Sequence, residues 1–157
     1  MKNLLLLIFC VFAVSASCAS CKKDSAGTND ANNVTANPTP NGSKMKITIG
    51  NRSFTVTLYD SPAATAFKAL LPLTIDMTEL NGNEKFFDLP RTLPANAVNP
   101  GTIHNGDLML YGSSTVVLFY KEFSTSYIYT KLGRINNPNG LASALGSGNV
   151  RVIYELE

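Results

Sequence analysis

The sequence predicts a mostly β protein, in which about eight short strands and one short helix form a closed or nearly closed barrel. Two observations support this prediction. From Lys44 to the C-terminus, apolar and polar residues alternate with a period of two, and residues typical of turns separate the alternating stretches. Closure follows from the shortness of the strands, because a barrel removes the exposed edges that a small open sheet would have to protect.

Length and composition limit the domain organisation and the class of partner. The chain has 157 residues, 45% apolar and 15% charged, which favours one folded domain with extensions over a disordered chain. The formal net charge is +2, but from Lys44 onward ten basic and nine acidic side chains nearly balance. Such a mixture does not concentrate positive charge against a phosphate backbone, so we expect no nucleic-acid partner.

The first twenty residues have the three-part layout of a secretory signal peptide. Lys2 precedes an apolar run from Leu4 to Val14, and small residues follow from Ser15 to Ser20. The run is too short to cross a bilayer, which takes about twenty apolar residues. We therefore predict that residues 1–20 are an export signal.

All three cysteines lie within this signal or at its border, so the domain that follows has no thiol for a disulfide or a zinc site. A cysteine after small residues at the end of an apolar run resembles the lipobox of bacterial lipoproteins, in which the thiol is acylated. We favour Cys21 as the lipidation site, with Cys18 as the alternative. The prediction is a protein held in the bacterial cell envelope, on the periplasmic face or the cell surface, by an N-terminal lipid anchor whose partner is the membrane. Plain secretion after cleavage is the other interpretation.

Residues 21–43 are predicted to form a flexible tether. They consist mostly of Asn, Thr, Ser, Ala, Pro, Gly and Asp, and Val34 is the only sizeable apolar side chain within this segment. Such a segment does not bury enough surface to offset the entropy lost on ordering. The barrel domain is therefore expected over residues 44–157.

The domain begins with a predicted hairpin and helix. Apolar residues alternate from Lys44 to Ile49 and again from Ser53 to Leu58, with Gly50-Asn51 as the turn between them. Asp60-Ser61-Pro62 then predicts a helix start, because a side-chain oxygen caps free amides and proline suits the first turn. We expect this helix to run for about three turns until Pro72 stops it.

A third strand is predicted over residues 73–78, with Glu79 continuing its apolar side and Asn81-Gly82 forming the turn into a strand over residues 85–87. Residues 88–105 contain three prolines and no periodicity, which predicts a long ordered loop. The remaining predicted elements are strands over residues 108–111, 115–123, 126–132 and 150–156, and one possible helical turn over residues 141–145 with a glycine stop.

Unusual strings occur in a fixed order in this domain, at Met77–Pro90, Gly106–Gly112, Val117–Phe123 and Thr125–Thr130. They resemble the bacterial cyclophilin-like domain family, and the match runs from about Lys44 to the C-terminus. The resemblance implies an eight-stranded cyclophilin-type barrel in a family whose biochemical role is largely undefined. The strings that carry the catalytic arginine of true cyclophilins are not found here, so no catalytic residue is carried over. Arg91 in the proline-rich loop is the weak local substitute.

Other chemistry has little support in the residues. His104 is the only imidazole, and with Asp107 three residues on it predicts a local hydrogen bond rather than a catalytic dyad. One histidine with scattered carboxylates does not supply a zinc site, and no nucleophile elbow or phosphate-binding loop is found, so we expect neither a metal nor a cofactor.

Aromatic residues near the C-terminal hairpins are the strongest sign of a binding site. Most of them are expected in the core, but a minority on a cleft would suit a ligand with an apolar body and a polar end. The candidate ligand-binding residues are Glu79, Arg91, Phe119 and Tyr127, around a cleft between the proline-rich loop and the aromatic strands. Glu79 is included because an inward carboxylate at a barrel mouth would be desolvated or paired.

The function that we predict is a lipid-anchored, non-catalytic cyclophilin-like domain that binds a small molecule or a peptide segment. Two alternatives stay open. One is a peptidyl-prolyl isomerase with non-standard catalytic residues, and the other is an accessory or structural component of an envelope assembly.

Overall fold

The computed structural model describes residues 39–157, which contain ten strands and two short helices. The predicted export signal, the candidate lipidation sites Cys18 and Cys21, and most of the predicted tether lie outside the described residues. The strands are β1 (Lys44–Ile49), β2 (Arg52–Leu58), β3 (Leu73–Leu80), β4 (Glu84–Asp88), β5 (Thr102–Ile103), β6 (Asp107–Tyr111), β7 (Thr115–Phe119), β8 (Phe123–Ser124), β9 (Thr130–Ile135) and β10 (Val150–Leu156). The helices are α1 (Pro62–Lys68) and α2 (Leu141–Leu145).

Eight of these strands close into a barrel. Their order around it is β1-β10-β3-β4-β7-β6-β9-β2, and every neighbouring pair is antiparallel. The strands β5 and β8 pair with each other as a separate two-stranded ribbon. The prediction of a mostly β, closed eight-stranded barrel is therefore confirmed.

The barrel interior is filled by the apolar residues of the two-residue alternation. Met45, Ile47 and Val56 are fully buried, whereas the polar residues between them are exposed or half-buried. The neighbouring strand β10, which pairs with β1, adds Val152 and Tyr154 to the same core. Full burial of each large apolar side chain stabilises the fold by about 1.5–3 kcal/mol, so this alternation specifies which face of each strand turns inward.

Helix α1 begins as the sequence predicts but ends earlier. The Ser61 hydroxyl caps it by accepting a hydrogen bond from the Ala64 amide at 3.2 Å, and Pro62 occupies the first turn. Phe67 is fully buried, with its ring 5.8 Å from that of Tyr154. The helix stops at Lys68 after about two turns rather than three. Beyond it, the Leu70 and Leu71 amides donate to the Phe67 and Lys68 carbonyls three residues back, so the chain continues in tighter turns up to Pro72.

The predicted turn and stop signals are found in place. Asn81 and Gly82 both have positive φ, 56° and 68°, as a tight hairpin turn between β3 and β4 requires. Helix α2 is a single turn that is stopped by Gly146. The φ angle of Gly146 is 62°, and its amide donates to the Ala142 carbonyl. Within residues 39–157, neither helix combines the length and the hydropathy that a membrane-spanning helix needs.

Two sequence predictions about strands are wrong in detail. The stretch predicted as one strand from residue 115 to 123 ends at Phe119, and the strand predicted from 126 begins only at Thr130. Phe123 instead pairs with Ile103 in the β5–β8 ribbon, which also interrupts the predicted long loop. Local alternation identifies an extended segment, but the pairing partner depends on distant residues.

A second apolar cluster lies on the outer face of the barrel wall, because β6 and β7 bury side chains on both faces. Val116 and Leu118 point into the barrel, whereas Val117 and Phe119 point outward and are equally buried. The outer cluster consists of Ile103, Met109, Val117, Phe119 and Tyr129, with Phe86 and Phe123 packed against it. The β5–β8 ribbon supplies Ile103 and Phe123, so it covers part of this outer face.

Candidate functional site

A cleft of about 340 Å³ opens beside the outer apolar cluster, on the outward faces of β4, β6 and β7. The residues that define it here are Glu84, Phe86, Tyr111, Val117, Tyr127 and Tyr129. The chain places them together because Glu84 and Phe86 share the outward parity of β4, and Val117 lies directly opposite Phe86 in β7. We name this feature the aromatic cleft.

Three tyrosines form a corner of the aromatic cleft. The ring of Tyr111 lies 6.3 Å from that of Tyr127 and 5.7 Å from that of Tyr129, with interplanar angles of 83° and 52°. Tyr111 and Tyr127 are 47% and 63% exposed, whereas Tyr129 is 7% exposed. The corner is therefore open on one side and anchored on the other, which suits contact with a ligand that enters from solvent.

Phe119 supports this corner from behind rather than lining the cleft. Its side chain is fully buried, and its ring meets that of Tyr129 edge to face at 5.5 Å. A second aromatic contact, to Phe123 at 5.8 Å, ties it to the β5–β8 ribbon. Phe119, a sequence-predicted candidate, thus holds Tyr129 in position.

Glu84 places a carboxyl group in the wall of the aromatic cleft. The residue is only 9% exposed, its side chain makes no hydrogen bond or ion pair to any of the residues 39–157, and its carboxylate oxygens keep contact with solvent in the cleft. Burial, and secondly the nearby charge of Glu79, raises the pKa of Glu84 above its usual range. Burial, followed by the charges of Glu84 and of the neighbouring tyrosines, raises the pKa of Tyr129 to about 12.

Glu79 lies elsewhere, inside one end of the barrel. It faces Lys85 across β3 and β4, and the two side chains form an ion pair in which Lys85 is fully buried. The Tyr120 hydroxyl donates to the Glu79 carboxylate, at 2.8 and 2.9 Å from its two oxygens, and the Gly82 amide donates at 2.8 Å. The Glu79 carboxylate is thus already occupied by three donors from the protein itself.

The pKa of Glu79 follows from this arrangement. Burial alone would raise it, but the hydrogen bonds from Lys85, Tyr120 and the Gly82 amide outweigh burial and hold the pKa of Glu79 below its usual range. Lys85 also donates to the carbonyls of Gly146 and Gly148, at 2.9 and 2.7 Å. We interpret the group as a polar plug that joins the β3–β4 hairpin to the segment after α2.

Arg91 is exposed on the segment between β4 and β5 and does not line the aromatic cleft. The aromatic cleft is therefore not walled by Arg91, and the role of Arg91 in binding a ligand stays a prediction. The loop turns toward the barrel instead: Leu89 and Leu93 are buried in the barrel core, and their amides donate to the Ser114 and Ser113 carbonyls at 2.8 and 2.7 Å. Further along the same loop, Val98 pairs with Tyr129 through two backbone hydrogen bonds of 3.0 Å, so the loop contacts the backbone of the tyrosine corner without placing Arg91 in the cleft.

The proline-rich loop contributes to a second cavity of about 480 Å³. Residues 94–98 form one wall, and Tyr59 and Lys131, with the ammonium 6.0 Å from the ring centre, form another. Thr39 and Asn41 close the cavity at the start of the described residues. Its polar groups include no buried carboxyl like that of Glu84, so we regard the aromatic cleft as the better candidate site.

Of the four residues that the sequence suggested, the structure brings only two near one another. Tyr127 lines the aromatic cleft and Phe119 lies behind it, whereas Glu79 is inside the barrel end and Arg91 is on the surface. Their roles in binding a ligand stay predictions. Sequence reasoning missed Glu84; the available signal was its shared parity with Phe86, but parity does not reveal that the outer face is covered.

The predicted local bond near His104 involves its backbone. The His104 amide donates to Asp107 at 2.8 Å, and Arg134 donates to the other Asp107 oxygen at 2.6 Å. The His104 ring lies 2.8 Å from the Glu122 carboxylate on the surface. In the part of the chain that the structure describes, no group of three or more metal-ligating side chains is found.

Comparisons with known proteins agree with this architecture. No curated protein matches the chain significantly. A hypothetical protein of Archaeoglobus fulgidus, solved in solution, is similar in structure with a TM-score of 0.51 and 17% identity, over 74% of this chain and 95% of that one. At such identity the similarity shows the fold alone. The model of the Cyclophilin-like family matches residues 47–155, nearly the whole barrel, and the chain therefore belongs to the Cyclophilin-like family.

Proposed function

We propose that this protein is a non-catalytic binding module whose aromatic cleft takes a small organic molecule or a short peptide segment. The observation that carries the proposal is the open corner of Tyr111, Tyr127 and Tyr129 beside the buried carboxyl of Glu84. Two of these rings stay largely exposed although they are large and apolar, and exposed aromatic patches beside a cleft are typical of binding surfaces.

The dimensions and composition of the cleft support the same function. Its volume of about 340 Å³ lies within the range of ligand pockets, which extends from about 300 to 1,000 Å³. Phe86 and Val117 provide an apolar floor, and tyrosine hydroxyls together with one carboxyl provide polar groups at the edge. Tyrosines supply contact area at low entropic cost because they have few rotatable bonds.

The experiment is a titration of the ¹⁵N-labelled domain, residues 39–157, with capped tripeptides of the form acetyl-Ala-X-Ala-amide, in which X is Leu, Phe, Lys or Glu. We expect at least one peptide to shift amide resonances around Tyr111, Tyr127 and Tyr129, and Tyr127→Ala to remove those shifts. Tyr59→Ala, in the second cavity, serves as the matched control and should leave them unchanged. If all four peptides, and n-butylammonium chloride as a small organic probe, leave the cleft resonances unaffected at 10 mM, the proposal is wrong.

The non-catalytic part of the proposal needs its own test. A protease-coupled assay on an Ala-Pro-Phe test peptide should give isomerisation at the uncatalysed rate. The sequence-based alternative, an isomerase with non-standard residues, requires a cation near the peptide, and Arg91 is the candidate. A rate above background that falls on Arg91→Ala would establish the isomerase instead.

We further propose that the protein is attached to the bacterial cell envelope through an acylated Cys21. The support is the sequence alone: the apolar run, the small residues after it and the cysteine at its end. Radiolabelled palmitate should be incorporated into the protein, and incorporation should be lost in Cys21→Ser but kept in Cys18→Ser. The reverse pattern would assign the anchor to Cys18, and no incorporation in the native protein would favour plain secretion.

A further inference from the structure

Glu84 is the least satisfied charged side chain on the aromatic cleft. It begins β4, its side chain has the outward parity of the strand, and it is 91% buried against the cleft wall (9% exposed). Residues 39–157 offer it no hydrogen bond and no ion pair. Its carboxylate oxygens are open to the cleft with no protein donor, and a largely buried carboxyl without a partner costs free energy that a cationic ligand would offset.

The other charge on the cleft has a partner. Asp88, four residues further along β4, is exposed and accepts a hydrogen bond from the Thr115 hydroxyl at 2.6 Å. Among the cleft residues of the described chain there is no lysine, arginine or histidine. The charged groups of the cleft are therefore acidic, which favours a cationic ligand and disfavours an anionic one.

The aromatic rings strengthen this preference. Tyrosine faces attract an organic cation that lies within about 6 Å of the ring centre, and burial enhances the effect. Tyr129, the most buried ring of the corner, is close enough to Glu84 for the carboxylate charge to contribute to the raised pKa of its phenol. A cation seated between Glu84 and the tyrosines would contact both a negative charge and the negative faces of the rings.

The floor of the cleft suits an aliphatic stem. Phe86 lies between Glu84 and Asp88 on the outward face of β4, and Val117 lies beside it in β7. Asp88 lies four residues beyond Glu84 along β4, at a distance of about 13 Å. The floor between these two residues is therefore long enough to hold a lysine side chain with part of its backbone.

We propose that the aromatic cleft recognises an alkylammonium group, with the ammonium paired to the Glu84 carboxylate between the tyrosines and the aliphatic stem lying on Phe86 and Val117. This inference rests on the proposed function and specifies its ligand class. Two sources supply the same chemistry, the lysine side chain of a peptide and a free alkylamine, and the experiment separates them.

The experiment compares the affinities of three probes for the domain by the resonance titration described above. The probes are acetyl-Ala-Lys-Ala-amide, its norleucine analogue, which has the same stem without the charge, and n-butylammonium chloride. The protein variants are Glu84→Gln and, as a control of equal charge change, Glu122→Gln, whose carboxylate lies outside the cleft beside His104. Thermal unfolding of each variant confirms that it is folded.

We expect the lysine peptide to bind at least about tenfold more tightly than the norleucine peptide, because only the ammonium group can form a hydrogen bond to the charged Glu84 carboxylate. Glu84→Gln should remove that difference, and Glu122→Gln should retain it. Tighter binding of the lysine peptide than of n-butylammonium indicates a peptide ligand, and the opposite order indicates a free amine. Both orders support recognition of the ammonium.

The outcomes separate this inference from the proposed function. If the norleucine peptide shifts the cleft resonances as strongly as the lysine peptide, the cleft binds ligands but the alkylammonium specificity is wrong. If Glu84→Gln binds the lysine peptide as well as the native protein does, Glu84 serves only the barrel wall, and the inference is also overturned. If no probe and no peptide of the earlier panel reaches the cleft, both proposals fail.

A second readout is the pH dependence of binding. Since the free protein holds the pKa of Glu84 above its usual range, the affinity for the lysine peptide should rise with pH as Glu84 ionises. The other titratable groups that influence Glu84 are Glu79, Tyr120 and Tyr129, and both phenols have pKa values near 12. An affinity that stays constant between pH 4 and 8 would contradict the pairing with Glu84.

Discussion

Lys85 and Glu79 lie directly opposite each other in the antiparallel pair of β3 and β4, and their charged groups meet inside the end of the barrel. Lys85 is fully buried, and two further donor bonds reach the carbonyls of Gly146 and Gly148. One lysine thus connects a hairpin of the barrel to the segment that follows α2. A buried cation is tolerated here because each of its protons has an acceptor.

Lys85→Met is expected to destabilise the fold strongly. The substitution keeps the length of the side chain but leaves the Glu79 carboxylate without its cation and two carbonyls without a donor. Removal of one partner of a buried ion pair costs about 3–5 kcal/mol, measured as the free energy of unfolding in urea.

The matched control is Lys46→Met. Lys46 pairs with Glu155 at 3.1 Å, but both side chains are about 40% exposed, so its loss should cost less than about 1 kcal/mol. Equal effects of the two substitutions would contradict the interpretation of Lys85 as a polar plug. A double variant, Lys85→Met with Glu79→Leu, should recover part of the lost stability, because no uncompensated charge is left.

Glu84→Gln is expected to stabilise the protein at neutral pH, by about 0.5–2 kcal/mol. Folding raises the pKa of Glu84 above its ordinary value of 4.5, chiefly through burial. Below that value both the folded and the unfolded chain bind the proton, and the native protein bears no penalty. As the pH rises through the folded-state pKa, ionisation of Glu84 lowers the stability of the native protein but not of the variant.

The measurement is the difference in free energy of unfolding between Glu84→Gln and the native protein as a function of pH. This difference should grow as the pH rises above about 4.5. Glu79 has the opposite sign, since its pKa is lowered by folding and its contribution is lost as the pH falls, but it is present in both proteins. A variant that is less stable at pH 7 would show that Glu84 has a stabilising partner.

Tyr127 and Phe119 should separate binding from stability. Tyr127 is 63% exposed, so Tyr127→Ala should change the free energy of unfolding by less than about 0.5 kcal/mol while weakening ligand binding. Phe119 is fully buried, so Phe119→Ala should cost about 3–5 kcal/mol. Urea unfolding measures both, and a large stability loss for Tyr127→Ala would indicate that its ring belongs to the core.

Gly133→Ala tests the contact between β9 and β2. A Cβ atom at this position would lie 2.9 Å from the Thr57 carbonyl oxygen and 3.0 Å from Val56 Cγ1, and the backbone oxygen has little freedom to move. We expect a loss of about 1–3 kcal/mol in the free energy of unfolding, as for other overpacked sites. Gly148→Ala, which meets nothing within 4 Å, should have little effect; a similar loss at both positions would contradict this account.

Much of the fold was predictable because its signals are local. Alternation specified which faces of β1, β2, β3 and β10 turn inward, Ser61 and Pro62 marked the start of α1, and Gly146 marked the end of α2. The string around Asn81-Gly82 predicted both a tight turn and the family. Each of these features depends on residues a few positions apart, so a single sequence contains the information.

The candidate site was only partly predictable. The aromatic density that suggested a binding surface does include Tyr111, Tyr127 and Tyr129, which form the corner of the cleft. Glu79 was predicted as an inward carboxylate at a barrel mouth, and Arg91 as a cation in the proline-rich loop, and both were expected to border one cleft with the aromatic strands. In the structure, burial of leucines from the proline-rich loop and the ion pair with Lys85 take these two residues elsewhere.

The sequence by itself determined the class of the protein, the faces of its strands and its membership of the Cyclophilin-like family. Only the tertiary structure decided that the outer face of β4, β6 and β7 is partly covered, that Phe123 pairs with Ile103, and that the largely buried Glu84 opens its carboxylate to the cleft without a protein partner. The physical reason is that a period of two specifies the side of a strand on which a residue lies. Whether that side meets solvent, another strand or a cleft depends on segments far away along the chain.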